Sequence, residues 1–418
     1  MLINNPFTSG IFTSVWRTHF AKRKPSETYG IFNDVSFVKY SLWPILINTG
    51  KNLTKGIAYT INSTETETNT IKNKVFLILD VASYFDVPRI NWSTPLRQKR
   101  IKQYPGYLIN LKNYEDFSSY LSSTFSKKSI QKFNRYRRRL EQCFDITYKI
   151  YHGEIDKANY DFIFDSFKNL LVKRFDDKRI TNNNLNPEEW NFYKDVAYPL
   201  ILEKKASLFV VYNGETPIAV RLNYYSDTVI FDAITVFDID YDKFHLGKIS
   251  LYNMLVWAFD TDYSIFDFSK GYFDYKESWS DTKYDFEYHI VYNSKSLIAN
   301  LIANGVSSLY KLKQYLREKA INKKMHRLTF ILKKTPKKQK FSRFKASENN
   351  EEFNINVLSE INISDQHYAF IKKYVYDFLY LKSEHYKNLK IYKLPDSKNR
   401  SFLVKGSTAS VILSEVNK

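Results

Sequence analysis

A single cysteine, Cys143, stands among 418 residues, so the chain can close no intramolecular disulfide and offers no cysteine-based zinc cage. Cys143 reads as a small buried apolar side chain. Long hydrophobic runs are also missing. No stretch approaches the ~18 apolar residues of a membrane span. The opening MLINNPFTSGIFTSVWRTHF lacks the charged start and apolar core of a secretory signal. A cytoplasmic location is expected, with peripheral contact at the inner membrane. No His pair stands at i, i+4 and no other metal-ligand spacing occurs, so no metal is expected. G-x-S-x-G, Walker A and G-x-G-x-x-G are absent too, which removes the hydrolase, NTPase and Rossmann readings at motif level. Acidic residues are scarce: 44 Asp and Glu face 63 Lys and Arg, a formal charge of +19. Such an excess attracts anions, whether nucleic acid, an acidic membrane or a phosphorylated donor or substrate.

What is present is a globular composition. With 44% hydrophobic and 17% aromatic residues the chain can build sizeable cores, and its length suits two or three units. Residues 1–120 alternate short β-like runs (VSFVKYSLWPILI, GIAYTI, KVFLILDVASYF) with polar connectors such as NSTETETNTIKN, a pattern that says only α+β. FSKKSIQKFNRYRRRLEQ, residues 125–142, reads as a helix capped by Ser126, with Ile130, Phe133 and Leu140 apolar. Its remaining positions carry Lys127, Lys128, Lys132, Arg135, Arg137, Arg138 and Arg139, either a solvated face or one that holds a phosphorylated or nucleic-acid partner. A strand FDITYKIY follows, then helices over residues 155–174 and 187–205, the second entered through Asn186 and Pro187. SLFVVY, PIAVRLNYY and TVIFDAITVF form an antiparallel meander whose first turn is Asn213-Gly214. FHLGK leads into the amphipathic ISLYNMLVWAFD, SIFDF is a short buried strand, and KYDFEYHIVY is the last strand of the series. Beyond residue 294 come an apolar-periodic helix, the basic run KKTPKKQKFSRFKAS with Pro336, and a stretch regaining aromatic content that reads as helix plus strand.

IFDFSKGYFDYKESW resembles the "fDF.rG...YK..w" signature of the CelD/BcsL-type branch of the GNAT acetyltransferase superfamily, which is related to the FemAB-like transferases. ASLFVVYNGETPIAVRLNYY is similar to that branch's hairpin, and FSKKSIQKFNRYRRRLEQ to its basic helix, so the likeness covers about residues 125–292. The resemblance implies an α/β (α+β) GNAT fold, with two GNAT-like lobes side by side as in FemAB-like proteins and a basic helical C-terminal extension. The units expected are a degenerate lobe over 1–143, an acyltransferase lobe over 144–293, a basic segment and linker over 294–347, and an appendage over 348–418.

Two clusters carry the chemistry. A helix N-terminus with a glycine accepts a diphosphate, because unpaired amides and the helix dipole both favour an anion there. Leu246, Gly247, Lys248, Ile249 and Ser250 are the expected donor-binding residues, although FHLGKIS is a reduced form of the family's glycine-rich loop and also reads as an ordinary turn into a helix. The second cluster is Asp267, Lys270, Gly271, Tyr275 and Lys276. Aminolysis of a thioester or ester needs a base and donors for the developing oxyanion. Tyr275 can donate to the departing group and Lys276 can hold the carbonyl oxygen, as the aromatic-Lys pair of FemAB-like relatives implies. Asp267 and Asp232 are candidate bases that also read as structural carboxylates, Asp267 as a partner of Lys270. Lys173 and Arg174, by the family's acceptor entrance, together with Arg221 and Lys270, are candidate substrate contacts. His245 beside the glycine reads as incidental.

The resulting expectation is a transfer of an acyl (acetyl) group from acetyl-CoA or another acyl-CoA to an amine or hydroxyl. The resemblance points to a small-molecule or nucleotide-sugar acceptor in polysaccharide or cell-envelope synthesis. Two alternatives stay open: a FemAB-like peptidyl transferase that uses aminoacyl-tRNA, and a non-catalytic protein whose basic segments hold nucleic acid or an anionic membrane.

Overall fold

A computed structural model describes residues 4–22, 24–39, 43–62, 70–90, 94–319, 343–349, 353–395 and 400–416. Most of the connector NSTETETNTIKN and of the run KKTPKKQK lies outside the described residues.

β1 (Phe32–Asn33) and β4 (Thr60–Ile61) form a small ribbon. One ten-stranded sheet contains β2 (Phe37–Lys39), β3 (Ile45–Asn48), β5 (Val75–Ala82), β6 (Leu96–Asn110), β7 (Ile146–Tyr151), β8 (Ala206–Asn213), β9 (Thr216–Tyr225), β10 (Val229–Phe237), β11 (Ile265–Lys270) and β12 (Thr282–Asn293). Their spatial order is β2-β3-β5-β12-β6-β11-β10-β9-β8-β7. The hairpin between β8 and β9 turns one residue later than the Asn-Gly signal suggests. Asn213 still pairs with Thr216, and Gly214 alone takes the positive φ, at 57°.

Read inward from either side, the sheet repeats itself. An antiparallel pair (β2/β3 or β9/β10) is followed by a parallel pair (β3/β5 or β10/β11), and then by a strand from the other half (β12 beside β5, β6 beside β11). β12 and β6 pair with each other at the centre. The two lobes therefore lie side by side, and each closes on a strand that the other contributes. The repeat extends to the backbone. β5 and β11 each hold one non-glycine residue at positive φ, Asp80 at 63° and Ser269 at 60°, and each lies within a register shift.

β6 is the element that sequence periodicity passes over. LRQKRIKQYPGYLIN is too polar, and Pro105 too unsuited to a central strand, to announce itself. Pro105 is tolerated because the β6/β12 register shifts beside it, and its carbonyl accepts from the Gly271 amide at 2.9 Å.

Alternate residues of β8 serve two cores: Leu208 and Val210 face one, Phe209 and Val211 the other. The first core includes α1 (Gly10–Phe20), α4 (Lys157–Lys178) and α5 (Pro187–Leu202). Packed into the second are α2 (Phe117–Thr124), α3 (Lys127–Cys143), α6 (Leu246–Phe259), the short α7 (Asp274–Trp279) and the C-terminal region. α8 (Leu297–Glu318) covers a third, smaller cluster over β5, β6 and β12. The C-terminal region is a separate antiparallel sheet of β13 (Arg343–Glu348), β14 (Ser359–Glu360), β15 (Lys390–Lys393), β16 (Ser401–Lys405) and β17 (Ser410–Val416), with α9 (Lys372–Lys382) beside it. The end of the basic run, expected within a linker, is thus the edge strand β13 paired with β17.

Candidate active site

β10 and β11 pair in parallel only from Val229/Ile265 to Phe231/Asp267, and then they part. Past that point β10 shifts register between Asp232 and Ile234, while β11 enters the left-handed turn at Ser269. The fork is held by the Ser269 hydroxyl, which donates to the Asp232 carbonyl at 3.3 Å. After Gly271, at φ 131°, the chain turns into α7, and Lys276 reaches back to the fork. Its ammonium donates to the carbonyls of Ser269 at 3.3 Å and Lys270 at 3.0 Å. Burial lowers the Lys276 pKa to about 8; Asp232 and Asp267 oppose that shift and Lys270 adds to it. Tyr275 is 42% exposed. Burial and Asp232 raise the Tyr275 pKa, against Arg221 and Arg174, so the phenol stays protonated.

Asp232 and the start of α6 belong to one chain of contacts. Arg221, 2% exposed, donates from Nη1 to Asp232 Oδ2 at 2.9 Å and from Nε to Ser250 Oγ at 3.0 Å. Arg221, expected at the substrate, is an internal strut between β9, β10 and the first turn of α6. Asp232 Oδ1 accepts from Thr235 at 3.0 Å.

The leading end of α6 has no side-chain cap; its preceding residue, His245, is left-handed at φ 54° and packs on Tyr136 with ring centroids 4.1 Å apart. Burial and Lys248 lower the His245 pKa. Gly247 is required by a neighbour: a Cβ there would lie 2.4 Å from the Phe237 ring, and the Arg174 guanidinium covers that ring at 4.2 Å. The Lys248 and Ile249 amides already bond to the His245 carbonyl. Lys173, expected at the acceptor, instead holds Asp238 and Asp240; burial lowers its pKa, and the two carboxylates outweigh that and raise it. Near this helix start, a single ammonium from α4 thus serves two carboxylates of the preceding loop.

Asp267 is fully buried and both its oxygens are taken. Tyr284 donates to each at 2.7 Å, Tyr84 to Oδ2 at 2.8 Å and the Ser269 amide to Oδ1 at 2.7 Å. Burial nevertheless raises its pKa to about 6. This carboxylate, expected as a base, is a hub joining the lobes, with both oxygens already accepting hydrogen bonds. Lys270, expected as a substrate contact, pairs through its ammonium with Asp80 of β5.

Asp80 and Lys55 are the members of the site that sequence reasoning missed. Asp80 is wholly buried, accepting from Thr54 at 3.0 Å and Gln103 at 2.9 Å besides Lys270. Lys55, next to Thr54, forms no ion pair among the described residues. Burial lowers its pKa to about 8, aided by Lys270 and Lys276. One signal was available for Asp80, a lone charge inside the apolar run KVFLILDVASYF. Nothing singled out Lys55.

On α3, Arg135, Arg138 and Arg139 line a groove of about 640 Å³ against Glu384, His385 and Asn388 of the C-terminal region. Among the described residues no carboxylate forms an ion pair with these arginines, and Arg139 Nη1 is buried without a hydrogen-bond partner, its guanidinium 5.7 Å from the centre of the Tyr380 ring. No group of three or more His, Cys, Asp or Glu suited to a metal occurs among the described residues, and no described helix is long and apolar enough to cross a membrane.

Among solved structures, the chain is similar to a conserved protein of unknown function from Bacteroides thetaiotaomicron, at 13% identity over 69% of this chain and 91% of that one, with a TM-score of 0.42. It is similar to L-PGS from Bacillus licheniformis at 11% identity, over 73% and 98% of the two chains, with a TM-score of 0.41. For FemX the values are 9%, 61%, 83% and 0.41. No curated protein matches the chain. Residues 127–277, which contain the fork, the start of α6 and the Tyr275-Lys276 pair, match the family model of the acetyltransferase (GNAT) domain.

Proposed function

We propose that the protein is an acyltransferase in which the fork between β10 and β11 receives the acyl carbonyl of an activated donor, with acyl-CoA the donor and an amine or hydroxyl the acceptor. One observation supports this reading: a buried ammonium of α7 sits at the fork, α7 and the uncapped start of α6 pack into the same core, and the Ser250–Arg221–Asp232 contacts tie that helix to the fork. The acceptor nitrogen or oxygen bonds to the carbonyl carbon and the bond to the leaving sulfur breaks. The acceptor's proton passes to solvent, the Tyr275 hydroxyl protonates the leaving sulfur, and the tyrosinate regains a proton from solvent; Asp232, whose two oxygens are held by Arg221 and Thr235, positions Arg221 rather than taking the acceptor's proton. Lys276 meets the negative carbonyl oxygen, where its charge acts strongly because the site is enclosed. A nucleotide-sugar or other envelope-sugar acceptor remains the expected class.

A second donor, aminoacyl-tRNA, is favoured by the unpaired arginines of the α3 groove. Thermal unfolding separates the two. Coenzyme A at a hundred times its Kd would stabilise the fold by about 2.7 kcal/mol, whereas a tRNA donor would give no such shift and a steep salt dependence of RNA binding. Lys276→Ala is expected to lower kcat by about 10²- to 10³-fold with little change in donor affinity. An unaltered kcat removes Lys276 from the mechanism.

A further inference from the structure

α8 is apolar on two sides. Its inner face, with Ala299, Ile302, Ala303, Val306 and Tyr310, packs over β5, β6 and β12. The outer face carries Leu297, Ile298, Leu301, Leu309, Leu312 and Leu316, and covers nothing among the described residues: Leu297 is 82% exposed, Leu301 74% and Leu309 62%. At 100° per residue these six side chains, with Tyr315, fall within about 120° of arc, and the helix runs about 33 Å. Gly305 and Ser308 fill the remaining positions of that arc, so it contains no charge before Lys319 at the C-cap. A bare apolar stripe of this length on a soluble surface marks a contact.

We propose that this face of α8 lies in the plane of an anionic lipid surface, docking the protein peripherally without crossing the bilayer. The charge around the stripe selects the occupant. Lys311 and Lys313 are exposed and project to either side of the stripe by helical angle. From residue 319 to 347 the sequence carries eleven Lys or Arg and no Asp or Glu. Apolar side chains flanked by cations suit the acyl–headgroup boundary, where each cation near an anionic surface adds to the attraction. A second copy fits poorly, because pairing two such faces would bring Lys311 and Lys313 of both copies together in a molecule already at +19. This inference is independent of the acyl-transfer reading, since it uses no residue of the fork.

The test is co-sedimentation of the full chain with vesicles of phosphatidylcholine alone, or of phosphatidylcholine and phosphatidylglycerol in equal parts. The triple variant Leu301→Ser, Leu309→Ser, Leu312→Ser changes only exposed side chains, and circular dichroism and thermal unfolding check that it folds. Wild type should sediment with the anionic vesicles, and far less with the neutral ones. The variant should lose at least about tenfold in partitioning. Failure of the wild type to sediment would overturn the proposal, and so would equal sedimentation of the variant. Light scattering without vesicles provides a further check: a wild-type dimer that the variant loses would assign the face to a second copy instead.

Discussion

Arg221 and Asp232 form an ion pair that is almost completely removed from water, 2% and 5% exposed. Truncating one partner of such a pair strands the other, and Asp232→Ala is expected to cost about 3 to 5 kcal/mol in urea unfolding. The loss should persist in salt that would screen a surface pair; a cost below about 1 kcal/mol would mean that water reaches Arg221. Lys276 makes the opposite case, because folding disfavours its charge. Its pKa falls from 10.5 to about 8, so the penalty is complete below pH 8 and is relieved as pH rises towards 10.5. Lys276→Met should therefore gain stability relative to wild type most at pH 7 and progressively less up to pH 10, as read from melting midpoints. Activity has the reverse dependence: a role that needs the ammonium fails as pH rises through about 8, so wild-type kcat should fall there. A kcat still rising beyond pH 9 would assign Lys276 to the proton-accepting role instead.

At the scale of the element, α6 and its glycine show how a single motif can carry two meanings. A glycine before a helix permits a close phosphate, yet the space at Gly247 is filled by the Phe237 ring, with a would-be Cβ at 2.4 Å. Gly247→Ala should thus destabilise the fold by about 1 to 3 kcal/mol through overpacking, and Phe237→Leu in the same chain should restore most of it. If donor affinity falls in the alanine variant and the leucine replacement does not recover it, the glycine is needed at the ligand as well. The same contrast explains what was legible beforehand. The β8–β9–β10 meander, α6, β11 and β12 announce themselves through alternation, helical period and turn residues, because each is built from local pattern. β6 does not, since a strand with LRQKRIKQYPGYLIN is held in place by β11 and β12 on its two sides rather than by its own propensity. For the same reason Tyr275 and Lys276 could be picked out from a contiguous motif. Asp80, Lys55 and Tyr84 reach the site across separations that no window spans; Tyr84 lies 183 positions from Asp267.

Considered as a whole molecule, the exchange of strands makes the two lobes one cooperative body. A fragment spanning 144–293 contains the fork, α6 and α7, but it lacks β6, which pairs with β11 on one side and β12 on the other. It also lacks Tyr84, one of the donors to the buried Asp267. β11 would then present an open edge, and a buried carboxylate would lose part of its hydrogen bonding, which costs more than an exposed one would. The fragment is expected to be insoluble or unfolded by circular dichroism, whereas a fragment spanning 94–319, which restores β6 but still lacks β5, should be at best partly ordered. In the full chain, urea unfolding followed by tryptophan fluorescence and by far-ultraviolet circular dichroism should report one coincident transition for the ten-stranded sheet. Trp190 sits in one core and Trp279 in the other, so the fluorescence samples both sides of the sheet. Two separated transitions, or a folded 144–293 fragment, would show that the exchanged strands decorate two self-sufficient lobes rather than bind them, and the fork would then have to be rigid without its central strand.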